Sequence, residues 1–216
     1  MGAGAIDVGE YGGVGSEHRG SPAKGLGVRR ALILAHGESI RDFDPVWVNG
    51  GYVFAVNRAI EDFSRIADAW VFNDFCSQNW DRLPARHKSG LRVLVRPRDV
   101  KEARKIYEGH RVRVEGSRFY DTQRFVRGVQ TPGPVVGVAT VPTAIMTAMM
   151  EGFEHIDLYG VDMKGSGSGL DEDYSEEEGE AERMRWAMER AQVAKLCELA
   201  PSYGAKVSFS PQPVGF

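Results

Sequence analysis

The chain has 216 residues, 42% of them hydrophobic and 26% charged, with a formal net charge of −3. These values fit one folded domain with a good core, and no apolar run approaches the roughly 18 residues of a membrane span. No basic stretch followed by a hydrophobic one marks a secretory leader, and Cys76 and Cys197 lie far apart in no metal-binding spacing, so a reduced, cytoplasmic protein is expected.

Charge is unevenly distributed. Between Arg82 and Arg127 there are 14 basic residues against five acidic ones, while Asp171 to Glu198 holds four against ten. A basic middle of this kind can meet phosphates, so the segment 82–127 is a candidate contact for a nucleotide or for nucleic acid. A solvated helix face with charged strand edges accounts for it equally well.

In chain order, residues 1–27 are Gly-rich and without period, which predicts a flexible tail, because ordering glycine costs entropy that little apolar burial offsets. Regular structure should begin at Arg29 or Arg30. The apolar run RALILA predicts a strand covered on both faces. YVFAVN (Tyr52 to Asn57) and AWVFND (Ala69 to Asp74) predict two more. Between them RAIEDFSRIAD repeats Ile60, Phe63, Ile66 and Ala67 at helical spacing. LRVLVRP is a fourth strand, RDVKEARKIYEG a helix ended by Gly109, and the alternating RVRVEG an edge strand or hairpin arm. DTQRFVRGVQTPGPVVGVA reads as loop. TVPTAIMTAMMEGF predicts a helix with Thr140 as N-cap, Pro142 in its first turn and Gly152 at its C-terminus, and HIDLYGVD follows as a buried strand. A polar lid spans about 163–182. The helix ERMRWAMERAQVAKLCELA should turn Met184, Ala187, Met188, Ala191, Ala194, Lys195 and Leu199 to one side, before a last strand in AKVSFSP. Such alternation predicts a single α/β layered domain over 28–216 with a mostly parallel sheet.

Ligands of open α/β sheets bind beyond the carboxyl ends of the strands. The residues there are His36, Gly37, Glu38 and Ser39, then Asn57, then Asn73 and Asp74, then Thr140 and Thr143, and finally Gly160, Asp162 and Lys164. Small residues, amides and hydroxyls suit hydrogen bonding to a base, ribose and phosphate better than metal ligation, so no metal site is expected. Each residue also has a purely structural role open to it. Asn57 and Asn73 can be turn residues, Asp162 can cap a turn, and Thr140 can cap a helix.

Two resemblances compete for the stretch LILAHGES. It resembles the Arg-His-Gly-Glu signature of the histidine phosphatase and phosphoglycerate mutase superfamily, which implies a phosphorylated His36. Ala35 stands where that signature has its phosphate-holding arginine, and the late stretch VVGVATVP offers Thr140 and no second histidine.

The other resemblance runs from Ala31 to Pro211. AHGES, FAVNRAI, WVFND and ATVPTAIMTAMMEGFEHIDLYGVDM, closed by LAPSYGAKVSFSP, are similar to the layout of the bacterial sialyltransferase family that uses CMP-sialic acid, and of related small bacterial and phage proteins. It implies a Rossmann-like glycosyltransferase, with a phage association among the expectations, that takes a nucleotide sugar of CMP or UDP type. The acceptor is unassigned, a glycan or a modified DNA base. Carried over, Gly37, Ser39 and His36 contact phosphate or ribose, Asn57 contacts base or sugar, Thr140 opens the helix facing the donor, and Asp162 lies at the base of the pocket. The chain departs from the pattern at Ala35, His36 and Glu38 in the first loop and at Val141-Pro142, and its lid has no histidine. Backbone amides from Gly37 to Ser39, with Tyr174 or Lys164, are the candidates for holding phosphate, and His36, Asp74 and Asp162 compete as the base. The same Gly-Pro-Ser type of opening occurs in pterin pyrophosphokinases, which need Mg²⁺ and ATP, and a non-catalytic nucleotide-binding module is a further alternative.

Overall fold

The computed structural model describes residues 28–73, 82–117, 125, 138–162 and 176–210. The expected tail, most of the 121–139 loop, the first part of the lid, and Asp74, Cys76, Lys164 and Tyr174 lie outside these residues.

Seven strands form one sheet: β1 (Arg30–Leu34), β2 (Tyr52–Val56), β3 (Ala69–Val71), β4 (Leu91–Val95), β5 (Val112–Gly116), β6 (His155–Tyr159) and β7 (Lys206–Phe209). Their order is β5-β4-β3-β2-β1-β6-β7, and all six pairings are parallel. The apolar runs follow from this arrangement, since strands of a parallel sheet carry helices on both faces. Leu32, Ile33 and Leu34 are fully buried, as are Val53, Phe54 and Ala55.

Among the described residues four helices cover the sheet: α1 (Ala59–Phe63), α2 (Val100–Ile106), α3 (Thr140–Met150) and α4 (Glu176–Leu199). On one face, Ile33, Phe54, Val71 and Leu158 pack against Ile145 and Met149 of α3 and against Val193 and Leu196 of α4. On the other face, Leu34, Ala55, Trp70 and Val93 pack with Ile60 of α1, Ala103 of α2, and Phe43 and Tyr159. RVRVEG is the edge strand β5. The helix read in RAIEDFSRIAD is one short helix, α1, followed by a hydrogen-bonded turn in which Ile66 N and Ala67 N both donate to Phe63 O.

Two expectations need correction. Thr140 is the first residue of α3 rather than its cap; the N-cap is Ala139, which has no side chain able to bond the helix amides. The Ala139 amide instead donates to Gln192 Oε1 of α4 at 2.9 Å, so a neighbouring helix does the capping work. Residues 176–182 of the expected lid segment are helical, since helix α4 begins at Glu176. The buried side of α4 also differs. Met184 is 48% exposed, while Glu189, Gln192, Val193, Leu196 and Ala200 are buried. A buried polar residue at position 192 is explained by its bond to Ala139, a contact that apolar periodicity does not register.

α3 is buried along nearly its whole length, from Thr140 to Met149. Two of its threonines bond their hydroxyls to backbone carbonyls one turn back. Thr143 Oγ1 donates to Ala139 O at 2.9 Å and Thr147 Oγ1 to Thr143 O at 2.8 Å.

The lower end of the sheet is held by an ion cluster. Arg92 Nη2 reaches Glu151 Oε1 at 2.7 Å and Glu115 Oε2 at 3.0 Å, and Arg92 Nη1 donates to Tyr52 Oη at 3.0 Å. Burial acts to lower the guanidinium pKa, but hydrogen bonds to Glu151 and Glu115 outweigh it and hold the group charged. Burial pushes the Tyr52 hydroxyl up, with Arg92 partly offsetting it. Other cations of the basic segment are also partnered: Arg82 with Glu61 at 2.6 Å, Lys88 with Asp68, Arg96 with Asp99 at 2.7 Å, and Arg113 with Glu115 at 2.7 Å. These pairs favour the reading of that segment as sheet-edge charge.

Candidate functional site

In this strand order, successive connections from β1 run outward on one side, through β2 to β5. The chain then returns to place β6 on the other flank of β1. The order therefore reverses between β1 and β6, and a crevice at the carboxyl ends of those two strands is where such sheets take ligands. His36, Gly37, Glu38 and Ser39 leave β1 there, and Gly160, Val161 and Asp162 leave β6.

The two strand ends are stitched together. Ala35 N donates to Tyr159 O at 2.9 Å, and Gly37 N donates to Gly160 O at 2.8 Å. Ser39 N donates to Asp162 Oδ2 at 2.7 Å, and Ser39 Oγ donates to Asp162 Oδ1. Both carboxylate oxygens of Asp162 are thus used on the 3₁₀ turn Glu38–Asp42. Glycine is required at both crossing points. A Cβ on Gly37 would strike the Gly160 carbonyl and come within 2.7 Å of Asp162 Oδ2, and Gly160, at φ +66°, would place one on the Ala35 carbonyl.

These bonds give several of the nominated residues partners within the protein. Asp162 acts as the turn-capping carboxylate. The amides of Gly37 and Ser39, expected to face phosphate, donate within the protein; the Glu38 amide makes no such bond to the described residues, and the Glu38 side chain is exposed. Ala35 is buried against the core, so an apolar side chain occupies the position of the phosphatase-type arginine.

Asn57 sits in the left-handed region at φ +49°, which asparagine tolerates better than most residues. Its carbonyl accepts Trp70 Nε1–H at 2.9 Å and its amide donates to Val71 O at 2.9 Å, so it fixes the turn from β2 into α1. Asn73, past β3, uses both amide hydrogens. Its Nδ2 donates to Val138 O at 2.8 Å and to Thr143 Oγ1 at 2.9 Å, tying β3 to the start of α3. Thr143 is fully engaged by this bond and its own bond to Ala139. Replacing Asn73 with Asp keeps the shape but removes both donors, and it should lower stability by about 1–3 kcal/mol. Urea unfolding monitored by tryptophan fluorescence measures that loss.

The structure also adds a residue. His36 Nε2 lies 3.3 Å from Asp62 Oδ2 of α1, and its other ring nitrogen, Nδ1, is buried without a hydrogen-bond partner among the described residues. Asp62 is separated from His36 by 26 positions and belongs to no motif, so only the packing of α1 against the end of β1 discloses it. Beside it, Glu61 Oε1 accepts from Arg82 Nη1 at 2.6 Å and lies 3.6 Å from Arg58 Nε. Among the described residues no group of three or more His, Cys, Asp or Glu side chains is arranged to hold a metal ion.

Sheet order and glycine crossing together define a Rossmann-like α/β fold. Comparison with solved structures agrees on the fold. The chain is similar to the sialyltransferase CST-II in complex with a trisaccharide acceptor and CMP, at 14% identity and a TM-score of 0.52, over 86% of this chain and 83% of that one. A point variant of the same sialyltransferase in complex with CMP matches at 13% identity and a TM-score of 0.50, over 84% and 81%. No protein-family model and no curated protein matches the chain. No helix among the described residues is long and apolar enough to cross a membrane.

Proposed function

We propose that the chain is a nucleotide-sugar-dependent glycosyltransferase that takes a donor of CMP or UDP type. The observation that carries this reading is the fold itself. The chain, whose sheet order reverses between β1 and β6, is similar in fold to a sialyltransferase in complex with CMP over most of both chains, and the stitched ends of β1 and β6 lie at the reversal. A donor bound there would meet His36, the Glu38 amide and the edge of Gly37, with Asn57 and Thr140 to either side. Phosphate contacts from Lys164 or Tyr174 belong to the same proposal.

In the transfer, the acceptor hydroxyl oxygen bonds to the anomeric carbon while the bond from that carbon to the phosphate oxygen breaks. The nucleotide leaves with the bonding electron pair, and the hydroxyl proton passes to a base. Of the three candidate bases we favour His36. Asp162 has both oxygens committed to Ser39, whereas the His36 side chain is 27% exposed. Asp74 remains an alternative. The acceptor is an alcohol, and a sugar hydroxyl is the class this reading favours.

A thermal-shift panel of CMP, UDP, GDP and ATP, each with and without Mg²⁺, tests the assignment. Stabilisation by CMP or UDP is expected, followed by release of free nucleotide from the matching nucleotide sugar. At 100 times its Kd a ligand adds about 2.7 kcal/mol, a readily measured shift. Stabilisation by ATP only with Mg²⁺ would point to pyrophosphoryl transfer. Binding without donor turnover would point to a non-catalytic module, and a phosphorylated His36 to the phosphatase chemistry.

A further inference from the structure

We infer that Arg58 is a binding residue of the site, and that the group it holds is the phosphate of the donor. The inference rests on the transferase reading for the identity of that ligand, and on Arg58 and its surroundings for the site. Arg58 follows Asn57 beyond the carboxyl end of β2 and is the N-cap of α1, itself in helical conformation at φ −67° and ψ −19°. β2 lies beside β1, with Ala55 opposite Leu34. Counting two residues on along both strands reaches Asn57 and His36, and Arg58 comes next. A separate contact brings the same helix to the same place. Asp62, one turn along α1 from Arg58, lies 3.3 Å from His36 Nε2. Residues four apart share a helix face, so Arg58 stands on the face of α1 that meets the end of β1.

This arginine is short of partners. A guanidinium carries five N–H donors and stays charged, and one that is partly buried is ordinarily bonded. Other arginines of similar exposure obey this: Arg82 donates to Glu61 at 2.6 Å, Arg30 to Asp157 at 2.6 Å and Arg96 to Asp99 at 2.7 Å. Among the described residues Arg58 donates no hydrogen bond. Its Nε is enclosed without a partner, and its ion contact with Glu61 Oε1 is long, at 3.6 Å, to an oxygen that Arg82 already reaches. The side chain as a whole is 37% exposed, so solvent meets it elsewhere than at Nε. A ligand would be met by the two terminal nitrogens, whose fork fits two phosphate oxygens. The neighbouring charges leave room for an anion. Arg82 offsets Glu61, and Asp62 and Glu38 are exposed and screened by water. In the transfer, the electron pair of the broken bond stays on the phosphate oxygen, and Arg58 faces the charge that collects there.

Two measurements on the full chain test this. Phenylglyoxal modifies accessible arginines, and peptide mass spectrometry then reads each one in the wild type. Arg58 is expected to react in the free protein and to be protected by CMP or UDP, but not by cytidine or uridine. Arg65 and Arg86, exposed at the amino ends of β3 and β4, should react equally throughout. In calorimetric titration, Arg58→Gln should weaken CMP or UDP roughly ten- to a hundredfold, the range for a hydrogen bond to a charged group, with the nucleosides within about twofold. Arg58→Lys, which keeps the charge but not the fork, should lose less. Equal nucleotide affinity in wild type and Arg58→Gln would overturn the inference, as would an equal loss for nucleoside and nucleotide. So would an Arg58 that is unreactive in the free chain, or one labelled as fast with nucleotide as without. Should neither CMP nor UDP bind the wild type, the transferase reading falls, and inorganic pyrophosphate decides the rest. Protection of Arg58 by pyrophosphate would keep it as an anion-holding residue, and labelling unchanged by pyrophosphate would overturn that too.

Discussion

Replacing Arg92 with Ala is expected to destabilise the protein by about 3–5 kcal/mol, the range for removing one partner of a buried ion pair. The Arg92 side chain is 13% exposed and that of Glu151 16%, so neither is well hydrated. Arg92 joins four elements: its own strand β4, Tyr52 on β2, Glu115 on β5, and Glu151 at the end of α3. Its loss takes from Glu151 its Arg92 partner and leaves Glu115 with Arg113 alone. The same cluster makes a different prediction for a concerted change. Arg92→Met with Glu151→Leu and Glu115→Leu replaces the charges by apolar groups of similar bulk and should recover much of the loss. Lys88→Ala breaks a pair whose lysine is 45% exposed, and should cost less than about 1 kcal/mol. Chemical denaturation of the four proteins, compared at equal m-values, tests the ordering.

Gly160→Ala should destabilise by about 3 kcal/mol or more and abolish nucleotide binding together with stability. Two costs combine there. Alanine in the left-handed region carries about 1–2 kcal/mol of backbone strain, and a methyl driven into the Ala35 carbonyl adds an overlap that only a backbone shift relieves. The shift would part the Gly37–Gly160 bond and move the turn that presents His36. Gly109 supplies the control. It has φ +85° with nothing near its absent Cβ, so Gly109→Ala isolates the strain term at about 1 kcal/mol. Equilibrium unfolding of both variants, with CMP titration of whatever fraction stays folded, separates strain from overlap.

Strands were legible in the sequence because a two-sided parallel sheet demands nearly continuous apolar runs, and RALILA, YVFAVN and LRVLVRP supply them. Helix α3 was legible through its small-residue spacing and Gly152. What periodicity could not reveal is where polar side chains are used internally. Gln192 is buried because the Ala139 amide needs an acceptor, and this turned the buried side of α4 away from Met184. Asn73 and Thr143 were nominated as ligand contacts by their place at strand ends, yet their donors are consumed in joining β3 to α3. Asp162 was nominated as a base, and its role as the cap of the Glu38–Asp42 turn was weighed beside that; the Ser39 bonds favour the cap. The His36–Asp62 pair joins residues 26 apart on separate elements, so no local spacing encodes it.

The central claim is that the crevice between the ends of β1 and β6 receives a nucleotide. A crystal structure of the full chain with CMP bound tests it most directly. The account predicts CMP at that crevice, with its phosphate near the His36–Ser39 turn and the Gly37–Gly160 and Ser39–Asp162 bonds intact. CMP bound elsewhere, or seated there only after those bonds break, would contradict it.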